Sequence, residues 1–134
     1  MILVDSTVWI DLFRKQPTAP TAILERLLEW GEAAVTPVII QEILQGASDA
    51  QSLERLRTHL LPLPLLESRS EAATHVAAAE LYARCRWAGM TPRSPHDCLI
   101  AVIAVEHGVS LLHDDRDFEY LARMEPDLRL IARQ

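Results

Sequence analysis

Four acidic residues recur at one kind of position in this chain, and their recurrence limits the folds that it can adopt. Each comes directly after a short apolar run or in the first turns of a predicted helix: Asp5, Glu42, Asp97 and Asp115. In an open parallel sheet, such positions face one crevice at the carboxyl ends of the strands. The pattern therefore predicts an α/β fold in which residues distant along the chain meet at one place.

The remainder of the chain alternates short strands with helices. The apolar run Ile2–Val4 is continuous, as in a parallel strand that is covered on both faces. Further strands are predicted at residues 33–35, 110–112 and 128–131, and residues 61–65 form an edge strand or an ordered turn because they contain two prolines. Spacing and end signals predict helices at residues 6–13, 21–30, 36–46, 50–60, 70–87, 94–107 and 117–124. This alternation predicts a parallel α/β sandwich.

Composition narrows the architecture and the compartment. The chain has 134 residues, of which 49% are hydrophobic, so one domain spanning residues 1–134 can bury a core without disulfides. Cys85 and Cys98 have no metal-binding spacing, and we interpret them as reduced thiols of a cytoplasmic protein. We expect neither a signal peptide, since no basic segment follows Met1, nor a membrane span.

The charge of the chain bears on nucleic-acid binding. A net charge of −6 and a pI of about 5.3 argue against a broad surface for phosphate backbones. Twelve of the thirteen basic residues are nevertheless Arg, which binds phosphate oxygens with two donors at once. Arg84, Arg86 and Arg93 are candidate RNA contacts, although cations that complement a helix dipole are the simpler interpretation of such a segment.

A cluster of carboxylates has a defined chemical requirement. At roughly 4 Å and an effective dielectric constant near 20, each pair of like charges costs about 4 kcal/mol. A fold that gathers four of them therefore needs a cation. Hard oxygen ligands of this kind suit Mg²⁺, with Mn²⁺ as a substitute.

Two of the acids have structural alternatives that depend on their neighbours. Asp5 can be the N-cap of the helix that follows it, or a metal ligand steadied by a nearby hydroxyl such as that of Thr7. Glu42 lies among aliphatic residues, either at the rim of a site or on a polar stripe with Gln41 and Gln45. Neither alternative is decided by the residues alone.

The other two acids precede or open helices. Asp97 can complete a capping box with Ser94, or it can be a ligand at the buried start of a helix. Asp115 lies in an acidic run, in which Asp117 is either a supporting acid or the cap of the next helix. These structural alternatives are independent of one another, whereas a metal site explains all four acids together.

Other chemistries lack the residues that they need. The five histidines have no zinc-binding spacing, and the chain contains no GxSxG elbow and no glycine-rich phosphate loop. A phospho-receiver domain needs a late lysine, but the single lysine is Lys15. A haloacid-type phosphatase needs a second aspartate at the position of Thr7.

Four segments resemble the successive acidic motifs of PIN-domain proteins. They are ILVDSTVWID at residues 2–11, the isoleucine-rich helix around Glu42, SPHDCLIA at residues 94–101, and HDDRDF at residues 113–118. In length the chain resembles the VapC-type toxins of bacterial toxin–antitoxin pairs. The resemblance implies a three-layer α/β/α sandwich around a central parallel sheet. It also implies Mg²⁺- or Mn²⁺-dependent endoribonuclease activity, commonly on tRNA or rRNA.

The resemblance carries over to particular residues and partners. The family's acidic residues correspond here to Asp5, Glu42, Asp97 and Asp115, with Asp117 as a fifth and Thr7 at the family's usual Ser/Thr position. Family members often have Thr or Asn in place of His113 and Asp114, so the choice between Asp115 and Asp117 as the closer ligand stays open. Members are usually homodimers, inhibited by a VapB-like antitoxin whose C-terminal segment covers the acidic site, often through an Arg.

The expected reaction is hydrolysis of an RNA phosphodiester by water, leaving 5′-phosphate and 3′-hydroxyl ends. In this hypothesis Asp5 and Asp97 anchor the principal Mg²⁺, while Glu42 and Asp115 complete the pocket, hold a second ion or orient the water. The alternative is a catalytically silent PIN-like module that binds RNA or protein and uses the acids as helix caps.

Overall fold

The structure is a computed structural model that describes residues 1–131. Within these residues the helices and strands follow in this order: β1 (Ile2–Val4), α1 (Ser6–Phe13), α2 (Ala19–Glu29), β2 (Ala33–Ala34), α3 (Pro37–Leu44), α4 (Ala50–Leu60), α5 (Glu71–Trp87), α6 (Pro95–His107), β3 (Ser110–Leu112) and α7 (Arg116–Met124).

The sheet is parallel and has β1 at its centre, in the order β2-β1-β3. Leu3 pairs with Ala34 on one side and with Leu111 on the other. Leu3, Val4 and Leu111 are completely buried, because helices cover both faces of the central strand. The continuous apolar run at the start of the sequence is therefore the buried parallel strand that its composition predicts.

Isolated bridges extend the sheet at both edges. Val35 bridges Leu65 in parallel, so the proline-rich segment at residues 61–65 contributes one pairing at the edge. Leu111 bridges Leu130 in the same direction. In place of the strand predicted at residues 128–131, the structure has a single bridge. The Leu128 amide does not pair with the sheet, because it donates to the Glu125 carbonyl at 3.1 Å.

The helices lie in two layers around the sheet. In one layer α5 packs against α6, and α7 packs against both. In the other, α1 packs against α2 and α3, and α3 packs against α4. This arrangement is the three-layer α/β/α sandwich that the sequence resemblance implies.

Helix ends explain most differences from the predicted boundaries. Helix α2 begins two residues earlier than predicted because Thr18 and Thr21 form a reciprocal capping box. Thr36 is the N-cap residue of α3, but its hydroxyl makes no cap hydrogen bond. Gly108 ends α6 with a φ of 62°, a left-handed conformation that favours glycine. None of the helices within residues 1–131 is long and apolar enough to cross a membrane.

Candidate active site

Asp5 caps helix α1 with one carboxylate oxygen and leaves the other without a hydrogen bond in the described part of the chain. It directly follows β1, and its Oδ2 accepts hydrogen bonds from the Thr7 amide at 3.3 Å and the Thr7 hydroxyl at 2.7 Å. Its Oδ1 is buried and has no hydrogen-bond partner within the described part of the chain. The two interpretations of Asp5 are therefore compatible, because each uses a different oxygen.

Glu42 does not belong to an exposed polar stripe with Gln41 and Gln45. Gln41 and Gln45 are exposed, whereas the Glu42 side chain is 19% exposed and its Oε2 lies 3.8 Å from His96 Nδ1. Its Oε1 is buried and unpaired among residues 1–131. Burial raises the pKa of Glu42, and the charge of Asp5 at the end of β1 raises it further.

Asp97 is a buried acid in the first turn of α6. Ser94 caps this helix by accepting a hydrogen bond from the His96 amide at 3.2 Å, so the capping box expected between Ser94 and Asp97 is not the pattern found. The Asp97 side chain is instead free of that role and lies against the other acids. A carboxyl with 8% residual exposure at the buried start of a helix is costly unless something compensates its charge.

Asp115 and Asp117 come from the turn that joins β3 to α7. Asp115 is the N-cap of α7, since its Oδ1 accepts a hydrogen bond from the Asp117 amide at 2.9 Å. The expectation that Asp117 could cap this helix is wrong, because the helix begins at Arg116. His113 is buried beneath the turn, where its Nδ1 accepts the Asp115 amide at 3.1 Å and its ring packs 5.4 Å from that of Phe118.

The fold brings three of these acids within reach of one ion. One oxygen each from Asp97, Asp115 and Asp117 lies within 4.8 Å of the others. The group therefore contains both Asp115 and Asp117, which the sequence left as alternatives. Asp5 and Glu42 are not members of this group among the described residues, but their charges act on it.

The charges of the other four acids act on Asp97. Burial is the main cause that raises the pKa of Asp97 to about 8, followed by the charges of Asp5, Asp115, Glu42 and Asp117. Burial also raises the pKa of Asp5, with a further contribution from the charge of Asp115. Without a cation, Asp97 therefore holds its proton at neutral pH, at which an aspartate in water is ionised.

The donor set fits a hard divalent cation. Every side chain in the group offers carboxylate oxygen, which is the ligand that Mg²⁺ and Mn²⁺ prefer. Buried carboxylate oxygens without a donor cost about 1–3 kcal/mol or more each. Within residues 1–131 Asp5 Oδ1 and Glu42 Oε1 are two such atoms, and a bound cation would compensate them.

The three arginines proposed as RNA contacts have different surroundings. Arg84 and Arg86 are exposed in the last turn of α5, and Arg84 Nη2 lies 3.5 Å from Glu125 Oε2. Arg93 instead reaches into the acidic site, where its Nη2 lies 2.6 Å from Asp115 Oδ1 and its Nε lies 3.1 Å from Asp117 Oδ2. Hydrogen bonding to Asp117 and the charges of both acids raise the pKa of the Arg93 guanidinium.

Two features of the site were not predicted from the sequence. The first is the contact of Arg93 with Asp115 and Asp117, because no sequence spacing relates residues that are 22 and 24 positions apart. The second is the buried His113, whose ring accepts a hydrogen bond from the Asp115 amide. The position of His113 between an apolar strand and the acidic run is a signal that could have indicated this role. The Cys85 and Cys98 thiols are buried and free, as expected.

Comparison with protein families assigns the fold to a known class. The PIN domain family model matches residues 2–124. The chain therefore belongs to the PIN domain family.

Within that family, the chain is similar to VapC proteins of mycobacteria. Ribonuclease VapC11 of Mycobacterium tuberculosis (strain ATCC 25618 / H37Rv) is 38% identical over 126 residues, which cover 92% of this chain and 93% of that protein. Ribonuclease VapC51 of the same strain is 32% identical over 120 residues, covering 90% of this chain and 84% of that protein. The resemblance inferred from the acidic motifs is confirmed.

Solved structures support the fold independently. VapBC2 from Rickettsia felis, bound to a DNA fragment from its promoter, contains a chain with a TM-score of 0.75 and 18% identity, and the match covers all of both chains. DNA-bound VapBC from Salmonella typhimurium gives a TM-score of 0.72 with 23% identity, covering 97% of this chain and 96% of that one. At such identities the likeness shows a shared fold.

Proposed function

We propose that this protein is a metal-dependent endoribonuclease and the toxin of a toxin–antitoxin pair. The observation that carries the proposal is the convergence of Asp97, Asp115 and Asp117 within 4.8 Å, beside the buried and unpaired Oδ1 of Asp5. Its relatives at 32–38% identity are named ribonucleases, which supports the same activity here. The proposed cofactor is Mg²⁺, which Mn²⁺ can replace.

Each acid has a proposed role in hydrolysis. Asp5 and Asp97 anchor the ion together with Asp115, and Asp117 supports them. When bound, the ion neutralises the phosphate oxygens of the substrate and lowers the pKa of water. Glu42 orients the attacking water through its Oε1, because this atom is buried without a hydrogen-bond partner among residues 1–131 and the side chain is 19% exposed.

Thr7 has a supporting role because it fixes the orientation of Asp5. Its hydroxyl donates to Asp5 Oδ2 at 2.7 Å, which leaves Oδ1 to face the site. Replacing Thr7 with valine keeps the shape of the side chain but removes this donor, so we expect Mn²⁺ affinity to fall about tenfold. Isothermal titration with Mn²⁺ measures the effect, and Thr7→Ser should retain the parent affinity. An unchanged affinity in folded Thr7→Val protein would contradict this role.

The substrate in this proposal is RNA, with tRNA or rRNA as the expected target. Because the net charge is −6, RNA cannot be held by a broadly basic surface. We propose that it reaches the acidic site through the bound cation and through the exposed Arg84 and Arg86 on α5. A homodimer would present two copies of this pair of arginines. The free thiols of Cys85 and Cys98 fit a cytoplasmic protein.

The proposed protein partner is a VapB-like antitoxin. The two solved structures described above are VapBC complexes, which supports a partner of this kind. An antitoxin C-terminal segment that carries an arginine would complement the acidic group electrostatically and cover the site.

Sequencing of RNA 5′ ends after brief expression in cells tests the proposed activity. We expect new 5′-phosphate ends at one or a few positions in tRNA or rRNA, and we expect none of them with Asp97→Asn. Co-expression of the antitoxin should suppress them. If the parent protein and Asp97→Asn give the same 5′ ends, the alternative of a catalytically silent binding module is favoured.

A further inference from the structure

Arg93 forms an unusually complete set of contacts with two acids of the site. It lies in the loop between α5 and α6, next to the start of the helix that carries Asp97. Its Nη2 donates to Asp115 Oδ1 at 2.6 Å, and its Nε donates to Asp117 Oδ2 at 3.1 Å. Its backbone amide donates to the same Asp117 oxygen at 3.0 Å. The loop is thus tied to the start of α7 by both main chain and side chain.

The contacts of Arg93 use one oxygen of each carboxylate. Asp115 Oδ1 accepts both the guanidinium and the Asp117 amide, and Asp117 Oδ2 accepts both donors of Arg93. The second oxygen of each acid is therefore the one available to an ion shared with Asp97. The guanidinium approaches from the solvent side, since the Arg93 side chain is 73% exposed while those of Asp115 and Asp117 are 20% and 12% exposed.

The charges of the three clustered acids balance with a single divalent ion. One divalent ion and one guanidinium carry three positive charges, which match Asp97, Asp115 and Asp117 when all three are ionised. A second divalent ion bound by Asp115 and Asp117 would be repelled by the guanidinium that bridges these two acids. The planar fork of Arg suits this bridging position, whereas a lysine ammonium would act as a point charge.

We propose that Arg93 is the resident second cation of the acidic site, so that the protein binds one divalent ion beside Asp97, and that removal of the guanidinium opens a place for a second ion. This inference rests on the proposed metal-dependent function and specifies how many ions serve it.

Direct counting of bound Mn²⁺ tests the proposal. Electron paramagnetic resonance of free Mn²⁺ and isothermal titration give the stoichiometry of the parent protein, Arg93→Ala and Arg93→Gln. We expect one ion in the parent and two in both variants. Arg116→Ala is the matched control, because it removes the same charge from an exposed position in the first turn of α7, and it should bind one ion. Circular dichroism establishes that each variant is folded.

Each possible number of bound Mn²⁺ ions either supports or overturns the proposed role of Arg93. Two ions in the parent protein, or fewer than two in the folded Arg93 variants of a parent that binds one, would overturn the proposal. If the parent binds no Mn²⁺, the proposed metal-dependent function fails, and the variants still decide the role of Arg93. A gained ion would then support it as the resident cation, and no gained ion would overturn it.

Discussion

Asp97→Asn should reduce RNA cleavage by the purified protein by roughly a thousandfold and yet make the metal-free protein more stable. The substitution removes one of the three acids that converge within 4.8 Å, so the proposed ion loses an anchoring oxygen charge. It also removes a buried carboxyl that four neighbouring acids disfavour in its ionised form. We expect the free energy of unfolding without metal to rise by about 2 kcal/mol at pH 8.

Cleavage of a labelled RNA and thermal unfolding in EDTA measure the two effects. Asp127→Asn is the matched control, since Asp127 is exposed and the same change there should alter neither quantity. Parent-like cleavage by Asp97→Asn would remove this residue from the proposed site. A loss of cleavage accompanied by a lower unfolding temperature would instead indicate a structural role.

The pH dependence of the stability of the metal-free protein follows from Asp97. The pKa of Asp97 rises from 3.8 to about 8 on folding, so between these values the folded state binds more protons than the unfolded state. Stability therefore falls as pH rises from about 4 to about 8. Asp97→Asn should remove most of this slope, which thermal unfolding in EDTA across that range would show.

The second large effect is stabilisation by Mn²⁺. At a concentration one hundred times its dissociation constant, a ligand that binds only the folded state stabilises it by about 2.7 kcal/mol. For a domain of this size we expect the unfolding temperature to rise by roughly 10 °C. The shift should grow as pH rises toward about 8, because Mn²⁺ then competes less with the proton that Asp97 holds at lower pH. Differential scanning fluorimetry with increasing Mn²⁺ measures it.

Asp5→Asn provides the sharpest control for the Mn²⁺ effect. Asparagine is as good an N-cap as aspartate, so α1 should remain capped through its side-chain oxygen. The charge at the buried and unpaired Oδ1 is lost, however, and most of the shift should disappear. A full shift in this variant would show that Mn²⁺ stabilises the protein without Asp5.

Helices and strands of this protein could be predicted where their signals lie within a few neighbouring residues. The helix at residues 50–60 was predicted with its observed bounds, because the spacing of its leucines is a signal that acts within a few residues. The strand at 128–131 was not, because a strand exists only through its pairing, and one bridge to Leu111 is all that forms.

The candidate site shows where sequence reasoning stops. The motifs indicated which acids to consider, but they presented cap and ligand as alternatives for Asp5. Its two oxygens in fact have different surroundings, with one bonded to Thr7 and the other buried without a partner among residues 1–131. Only three-dimensional coordinates assign separate environments to two atoms of one carboxyl group.

By itself the sequence determined the α/β alternation, the buried central strand and the acidic residues at element ends, because strand burial and helix capping depend on neighbouring residues. The tertiary structure alone decided that Asp97, Asp115 and Asp117 share one group and that Arg93 bridges two of them. Those contacts arise from the order of the parallel strands and from packing between helices. Such long-range packing leaves no periodic trace along the chain.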